Sequence, residues 1–173
     1  QVLKDKCITV IPMADFLAWR RGEKSIPPKS AIISIDDGYI SGYSVAWPIL
    51  KKFGYPFTMF IYTDYVKGGV KSGGQSISWQ QLAEMRDAGV DIQSHTVSHS
   101  GLNARKGKSD EQYAAWLKNE LAGSKQILEQ NLGGVVAFRQ RIGEHAVADR
   151  PEAVGGGNLD LHARGPLGAG PDH

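Results

Sequence analysis

What this chain lacks narrows its reading before any motif is considered. Its 173 residues include a single cysteine, Cys7, which excludes an intrachain disulfide and a zinc site built from thiolates. Alone, Cys7 reads as a small half-buried hydrophobe and says nothing about compartment. No apolar run approaches ~18 residues, so no membrane-spanning helix is expected. No signal peptide is readable at Gln1, where the sequence opens without a methionine. An excess of one charge is missing too: 20 Lys and Arg stand against 18 Asp and Glu, a formal +2. The charges are interspersed, without a basic run to follow a phosphate backbone, so nucleic acid is not an expected partner. Aromatic residues are absent from 139 to 173, although 4 Trp, 6 Tyr and 5 Phe precede that stretch. With Gly155-Gly156-Gly157 and prolines at 151, 166 and 171, it lacks material for three further βα units. It reads as a Gly/Pro-rich, disordered tail or the product of a reading-frame change.

The chain is long enough for one domain with a real core, though short for a closed (β/α) barrel, which typically needs ~250 residues. Two stretches organise it. The first is Ala31-Ile32-Ile33-Ser34-Ile35, nearly continuous, apolar and β-branched, which predicts a buried parallel strand. It runs directly into Asp36-Asp37-Gly38. Adjacent acids at the edge of a core must be hydrogen-bonded, protonated or bound to a cation, and Gly38 permits the turn that leaves them at the strand's carboxyl end. In parallel α/β folds that end is where ligands bind. The second stretch repeats the pattern: Val90–Ser94 is a short alternating strand, and His95-Thr96-Val97-Ser98-His99 follows. Read singly, the first is a turn with a capping acid and the second an incidental histidine pair. Together they place two carboxylates and two imidazoles at one rim. Two His and one Asp around a divalent ion would leave a position open for water, as catalytic sites do.

Further elements follow from local signals. Ile8–Ile11 predicts a strand, Ala14–Arg21 a short helix, Tyr43–Phe53 a helix carrying Pro48, and Pro56–Ile61 a strand. The Gly- and Lys-rich stretch from Asp64 to Ser76 reads as a loop above the strand ends. Ser78-Trp79-Gln80-Gln81 and Ser109-Asp110-Glu111-Gln112 match capping boxes. The second opens the longest helix, with Tyr113, Leu117, Leu121, Ser124 and Leu128 as its inward stripe, ending at Gly133-Gly134. Val135–Phe138 predicts one more strand.

These parts resemble the polysaccharide deacetylases of the NodB-homology type, carbohydrate esterase family 4. The first motif of that family is Thr-Phe-Asp-Asp-Gly, here Ser34-Ile35-Asp36-Asp37-Gly38. The second is His-Ser/Thr-x-x-His, here His95 to His99. The resemblance covers Ile8 to Phe138 and implies an α/β fold, a distorted and here incomplete (β/α) barrel, with residues 1–138 as the deacetylase domain and 139–173 as an atypical tail. It implies that Asp37, His95 and His99 hold a divalent metal, zinc first with cobalt or nickel as alternatives. Asp36 is then the general base, and Thr96 supports the histidine loop. The family's third motif, Arg-x-Pro-Tyr/Trp-Gly, is matched by Arg139 and Gly143, with Arg141 in place of the Pro and Ile142 in place of the aromatic. Arg139 would steady Asp36. Leu159-Asp160-Leu161-His162 comes too early to be the Leu-x-His motif, so His162 is not expected in the site.

The function so implied is metal-dependent N-deacetylation of an acetylated amino-sugar polymer, outside the cytoplasm. The rivals are a catalytically impaired carbohydrate-binding relative and a metal-dependent amidase or esterase acting on another substrate.

Overall fold

The computed structural model describes residues 2–133 except 104 and 106. The apolar run Ala31–Ile35, expected as one strand, is shared between two sheets. β2 (Ser30–Ala31) pairs in parallel with β1 (Thr9–Val10), and β3 (Ser34–Ile35) pairs in parallel with β4 (Thr58–Ile61). The Ala31 carbonyl accepts from Ile11 N–H at 2.9 Å and the Ile33 carbonyl from Thr58 N–H at 3.0 Å, so the run changes neighbours between these two residues. The run was expected to be buried on both faces, but its side chains alternate. Ile33 and Ile35 pack on the core, whereas Ile32 is 38% exposed and Ser34 is exposed.

β4 is the central strand of the second sheet, with β3 on one side and β5 (Asp91–Ser94) on the other, Ile61 level with Ser94. Met59 and Ile61 on β4 are fully buried, with Val66, Ile77, Leu82, Met85 and Leu128 packed in the same core. Strand pairing within both sheets is parallel and helices connect the strands, which makes the fold α/β. Among the described residues no pairing closes the sheets into a barrel.

The helices are α1 (Val2–Asp5), α2 (Met13–Arg20), α3 (Trp47–Phe53), α4 (Trp79–Asp87), α5 (Asp110–Lys118) and α6 (Ser124–Leu132). Both capping boxes form: Ser78 accepts from Gln81 N–H and Ser109 from Gln112 N–H, while each glutamine side chain accepts from its cap's N–H. Two predicted helices contain a wider π-type turn. In the first, Gly42–Ala46, the Trp47 N–H reaches back to the Gly42 carbonyl just before Pro48, whose nitrogen can donate nothing to a regular ladder. The second, Asn119–Gly123, separates α5 from α6. Here the expected stripe shifts. Glu120, Ser124, Leu128 and Leu132 are buried, and Leu121 is only half-buried. Every fourth residue of an ordinary α-helix drifts about 40° around the axis. The wider turn takes up part of that drift and keeps Glu120 in line with the core residues below it.

Among the described residues no helix is long and apolar enough to cross a membrane. The predicted strand Val135–Phe138 and the tail 139–173 lie outside the described residues.

Candidate metal centre

Three neighbouring parallel strands end on one rim. β3 runs into Asp36 and Asp37, β4 into Tyr62 and Thr63, and β5 into His95. The ladder continues one step past β5, where His95 N–H donates to the Ile61 carbonyl at 2.8 Å. On that rim Asp37 Oδ1 lies 3.7 Å from His95 Nε2 and 3.5 Å from His99 Nε2. One ligand atom from each of the three residues falls within 4.8 Å of the others.

The donor chemistry fits a divalent ion. Donors at about 2.0–2.2 Å from a tetrahedral zinc sit roughly 3.3–3.6 Å from each other, which the two separations approach. Direct hydrogen bonds would be shorter, near 2.7–3.2 Å. Two imidazole nitrogens and one carboxylate oxygen are a borderline-hard set suited to zinc, cobalt or nickel. All three side chains keep a third or more of their surface, or close to it, open to solvent: 30% for Asp37, 35% for His95 and 49% for His99. Water and substrate can reach them.

Backbone strain is concentrated here. Of the four non-glycine residues with positive φ among those described, three are Asp37 (76°), Thr96 (75°) and His99 (55°). Such conformations cost on the order of 1–3 kcal/mol each and persist only where surrounding bonds impose them. For Asp37 the next residue helps: Gly38, buried with φ 87°, donates to the Asp36 carbonyl at 3.1 Å. A Cβ at Gly38 would also meet Ile61 Cδ1 at 3.2 Å.

The histidine loop is held more elaborately. Glu120, 3% exposed, accepts from Val97 N–H at 3.1 Å and Ser98 N–H at 2.8 Å on one oxygen, and from the Ser98 hydroxyl at 2.7 Å on the other. Thr96 Oγ1 accepts from His99 N–H at 3.0 Å, and Thr96 N–H donates to Ser94 Oγ at 3.1 Å. From the opposite side Thr63 N–H donates to the Thr96 carbonyl, Asp64 N–H to the Val97 carbonyl and Lys71 Nζ to the Ser98 carbonyl.

The imidazole of His99 is also fixed in orientation. Tyr62 is sandwiched, with its ring 5.0 Å from His99 and 5.1 Å from Tyr65, both stacked, and Tyr39 closes the column edge-on at 5.2 Å from Tyr65. Burial, and then the nearby Asp37 charge, hold the Tyr62 phenol above its ordinary pKa, so it stays a neutral donor beside the carboxylate.

Of the residues singled out from sequence, Asp37, His95 and His99 are brought together. Asp36 is exposed, stands next to Asp37 and is not in the three-residue cluster; its carboxylate has no partner among the described residues. Arg139 and His162 lie outside the described residues. Sequence reasoning missed Glu120 and Tyr62. Tyr62 carried a signal, because it follows the apolar strand ending at Ile61 just as Asp36 follows Ile35. Glu120 carried one only in its four-residue spacing to Ser124, Leu128 and Leu132, which competed with Leu117 and Leu121.

Comparison with known proteins adds an independent line. A family profile described as polysaccharide deacetylase matches residues 23–148. The chain is 33% identical over 109 residues to YxkH of Bacillus subtilis (strain 168), which carries the polysaccharide deacetylase name, covering 62% of this chain and 34% of that protein. It is 30% identical over 131 residues to the poly-β-1,6-N-acetyl-D-glucosamine N-deacetylase of Staphylococcus aureus (strain MSSA476), covering 75% of this chain and 45% of that protein. Among solved structures, a de-N-acetylase from Aggregatibacter actinomycetemcomitans superposes with a TM-score of 0.65 at 25% identity, covering 76% of this chain and 62% of that one. The chain thus spans less than half the length of these two curated relatives.

Proposed function

Because this chain belongs to the polysaccharide deacetylase family, we propose that it hydrolyses acetamido groups on an amino-sugar polymer, using a divalent ion held by Asp37, His95 and His99. The observation that carries the proposal is the convergence of His95 Nε2 and His99 Nε2 on Asp37 Oδ1, at 3.7 and 3.5 Å, on a strained and heavily braced rim. Poly-β-1,6-N-acetylglucosamine, the substrate named for several relatives, is the polymer we assign first. The reaction would then occur where that polymer lies, outside the cytoplasm. We further infer that the two parallel sheets belong to one distorted (β/α) barrel.

When bound, the ion would acidify water and polarise the amide carbonyl. The residues of the chain supply the rest. Asp36, exposed and free of other partners among the described residues, takes the proton of the attacking water. Oxygen adds to the carbonyl carbon, the carbon–nitrogen bond breaks, and the amine leaves with the proton that Asp36 took from the water, giving acetate and a free amino sugar. Arg139 steadies the Asp36 charge in this scheme. Tyr62 and the Thr96–His99 contact keep His99 turned toward Asp37.

A binding-only role rests on Arg141 and Ile142, which stand where the family motif has Pro and an aromatic. One set of variants separates the readings. Metal content should fall in Asp37→Ala, His95→Ala and His99→Ala alike, because a three-ligand site that loses one ligand loses its chelate geometry. Asp36→Asn should keep the metal yet lose about 100- to 10,000-fold in acetate release. Stoichiometric zinc at unchanged affinity in both histidine variants would remove the metal-centre assignment. Wild-type chain that binds polymer and metal but releases no acetate would establish the binding-only role.

A further inference from the structure

A cleft of ≈ 370 Å³ is present among the described residues, and none of Asp37, His95 and His99 lines it. Its walls include Tyr43 from the first π turn, Gln80, Gln81 and Glu84 from α4, and Lys67 and Ser76 from the Gly- and Lys-rich loop. The volume falls at the lower end of the ~300–1,000 Å³ usual for small-molecule sites. It suits a short saccharide rather than a folded partner.

About half of the lining is polar, and its polar side chains are already oriented. Tyr43 donates to one oxygen of Glu84 at 2.6 Å, and Gln80 Nε2 donates to the other at 3.3 Å. Gln81 is pinned by the capping box it makes with Ser78. Glu84 oxygens and the Gln80 carbonyl keep lone pairs for further bonds, while Lys67 and the serine hydroxyls can donate. Lys67 and Glu84 are the charged lining residues and their charges cancel, which favours a neutral ligand over a phosphate or a polyanion. Hydroxyls and an acetamide match this mixture of fixed donors and acceptors, and the carbon edges of a pyranose suit a phenol ring.

The cleft is also tied to the rim. Ile40, one of its lining residues, is three residues beyond Asp37, so their Cα atoms are at most about 11 Å apart. Ile40 N–H donates to the Gln75 carbonyl at 2.8 Å and Ile77 N–H to the Gly38 carbonyl at 3.0 Å, joining the loop wall to the turn that carries Asp37.

We infer that this cleft is a second carbohydrate subsite, which takes a neutral acetamido-sugar unit of the polymer a few units from the one presented to Asp37, His95 and His99. The inference rests on the deacetylase reading for the identity of the polymer, and needs no metal.

The test uses the full chain, stripped of metal by a chelator and titrated with β-1,6-linked N-acetylglucosamine oligomers of increasing length. Amide NMR signals locate binding and calorimetry measures it. Signals of Gly73, Gly74, Gln80 and Gln81 should shift, and should still shift in His99→Ala. Gln80→Ala and Glu84→Gln should each weaken binding about five- to tenfold, as expected for one or two lost hydrogen bonds. Tyr43→Phe keeps the ring and its packing and removes only the hydroxyl that holds Glu84 in place, and it too should bind more weakly. Shifts confined to residues 62–65 and 95–99, or wild-type affinity in all three cleft variants, would overturn the subsite and leave the deacetylase reading intact. Shifts in the cleft without acetate release from the metal-loaded chain would sustain the subsite and remove the deacetylase reading.

Discussion

Removing the Glu120 carboxylate would leave Val97 N–H, Ser98 N–H and the Ser98 hydroxyl without their acceptor. Each buried group deprived of a partner costs about 1–3 kcal/mol, and water can reach this half-buried loop to offset part of it. Glu120→Ala should therefore lower stability by about 2 kcal/mol and zinc affinity roughly 10- to 100-fold, the range seen when groups that orient metal ligands are lost. Glu120→Gln keeps one acceptor oxygen for the two N–H groups and should fall between wild type and alanine in both respects. Urea midpoints and competition with a chromogenic chelator measure the two effects. A loss of stability with unchanged zinc affinity would show that the brace does not orient the histidines. The contrast with the residues at the strand ends explains what could be read in advance. Asp36, Asp37, His95 and His99 could be singled out because two such clusters each follow an apolar strand, although either alone is commonly a turn or an incidental pair. Glu120 could not, because an isolated glutamate in a helix is ordinary, and its partners lie 22 and 23 residues earlier in the chain.

Helices and strands were legible in kind and less so in detail. The capping boxes at Ser78 and Ser109 form as expected, since their bonds are local. The run Ala31–Ile35 showed its β character, yet which neighbour each half pairs with depends on Thr9 and Thr58, distant in sequence. Neither π turn was expected, although Pro48 marked the place of the first. That turn sets up a measurable contact, because it places Tyr43 where its hydroxyl donates to Glu84 on α4. The bond to Glu84, with desolvation and the glutamate charge adding to it, raises the Tyr43 pKa above 10.0. The folded chain then holds this proton more tightly than the unfolded chain does. The contribution is complete below the unfolded value and is lost as pH rises through the raised one. Phenolate absorbance, taken as the difference between wild type and Tyr43→Phe, should show Tyr43 ionising later than a free tyrosine. Glu84→Gln should move that transition down. An unchanged transition in Glu84→Gln would mean that the hydrogen bond is not its cause.

At the scale of the whole molecule, a metal centre linking β3 to the loop after β5 should stabilise the folded chain. Free zinc at about 100 times its dissociation constant adds roughly 2.7 kcal/mol, less whatever it gains from the unfolded chain. For a domain of this size that is a rise in Tm on the order of 10 °C. Calorimetric scans with zinc and with chelator should show it in wild type and not in His95→Ala. Equal shifts in both would place the ion elsewhere. The α/β class was legible from the alternation of apolar strands with capped helices. Closure of a barrel was not, because it depends on pairings between sheets that no local pattern records. Arg139 and the stretch after it lie outside the described residues.

The distance along the chain between Asp37 and Glu120 also sets a timetable. A ribosome adding about 5–20 residues per second needs roughly 4–17 s to pass from one to the other. Throughout that interval the acid turn, and later both imidazoles, exist in the nascent chain without the carboxylate that clamps Val97 and Ser98. On the proposed metal reading, the finished geometry of the site waits until Glu120 has been made and has docked against Val97 and Ser98.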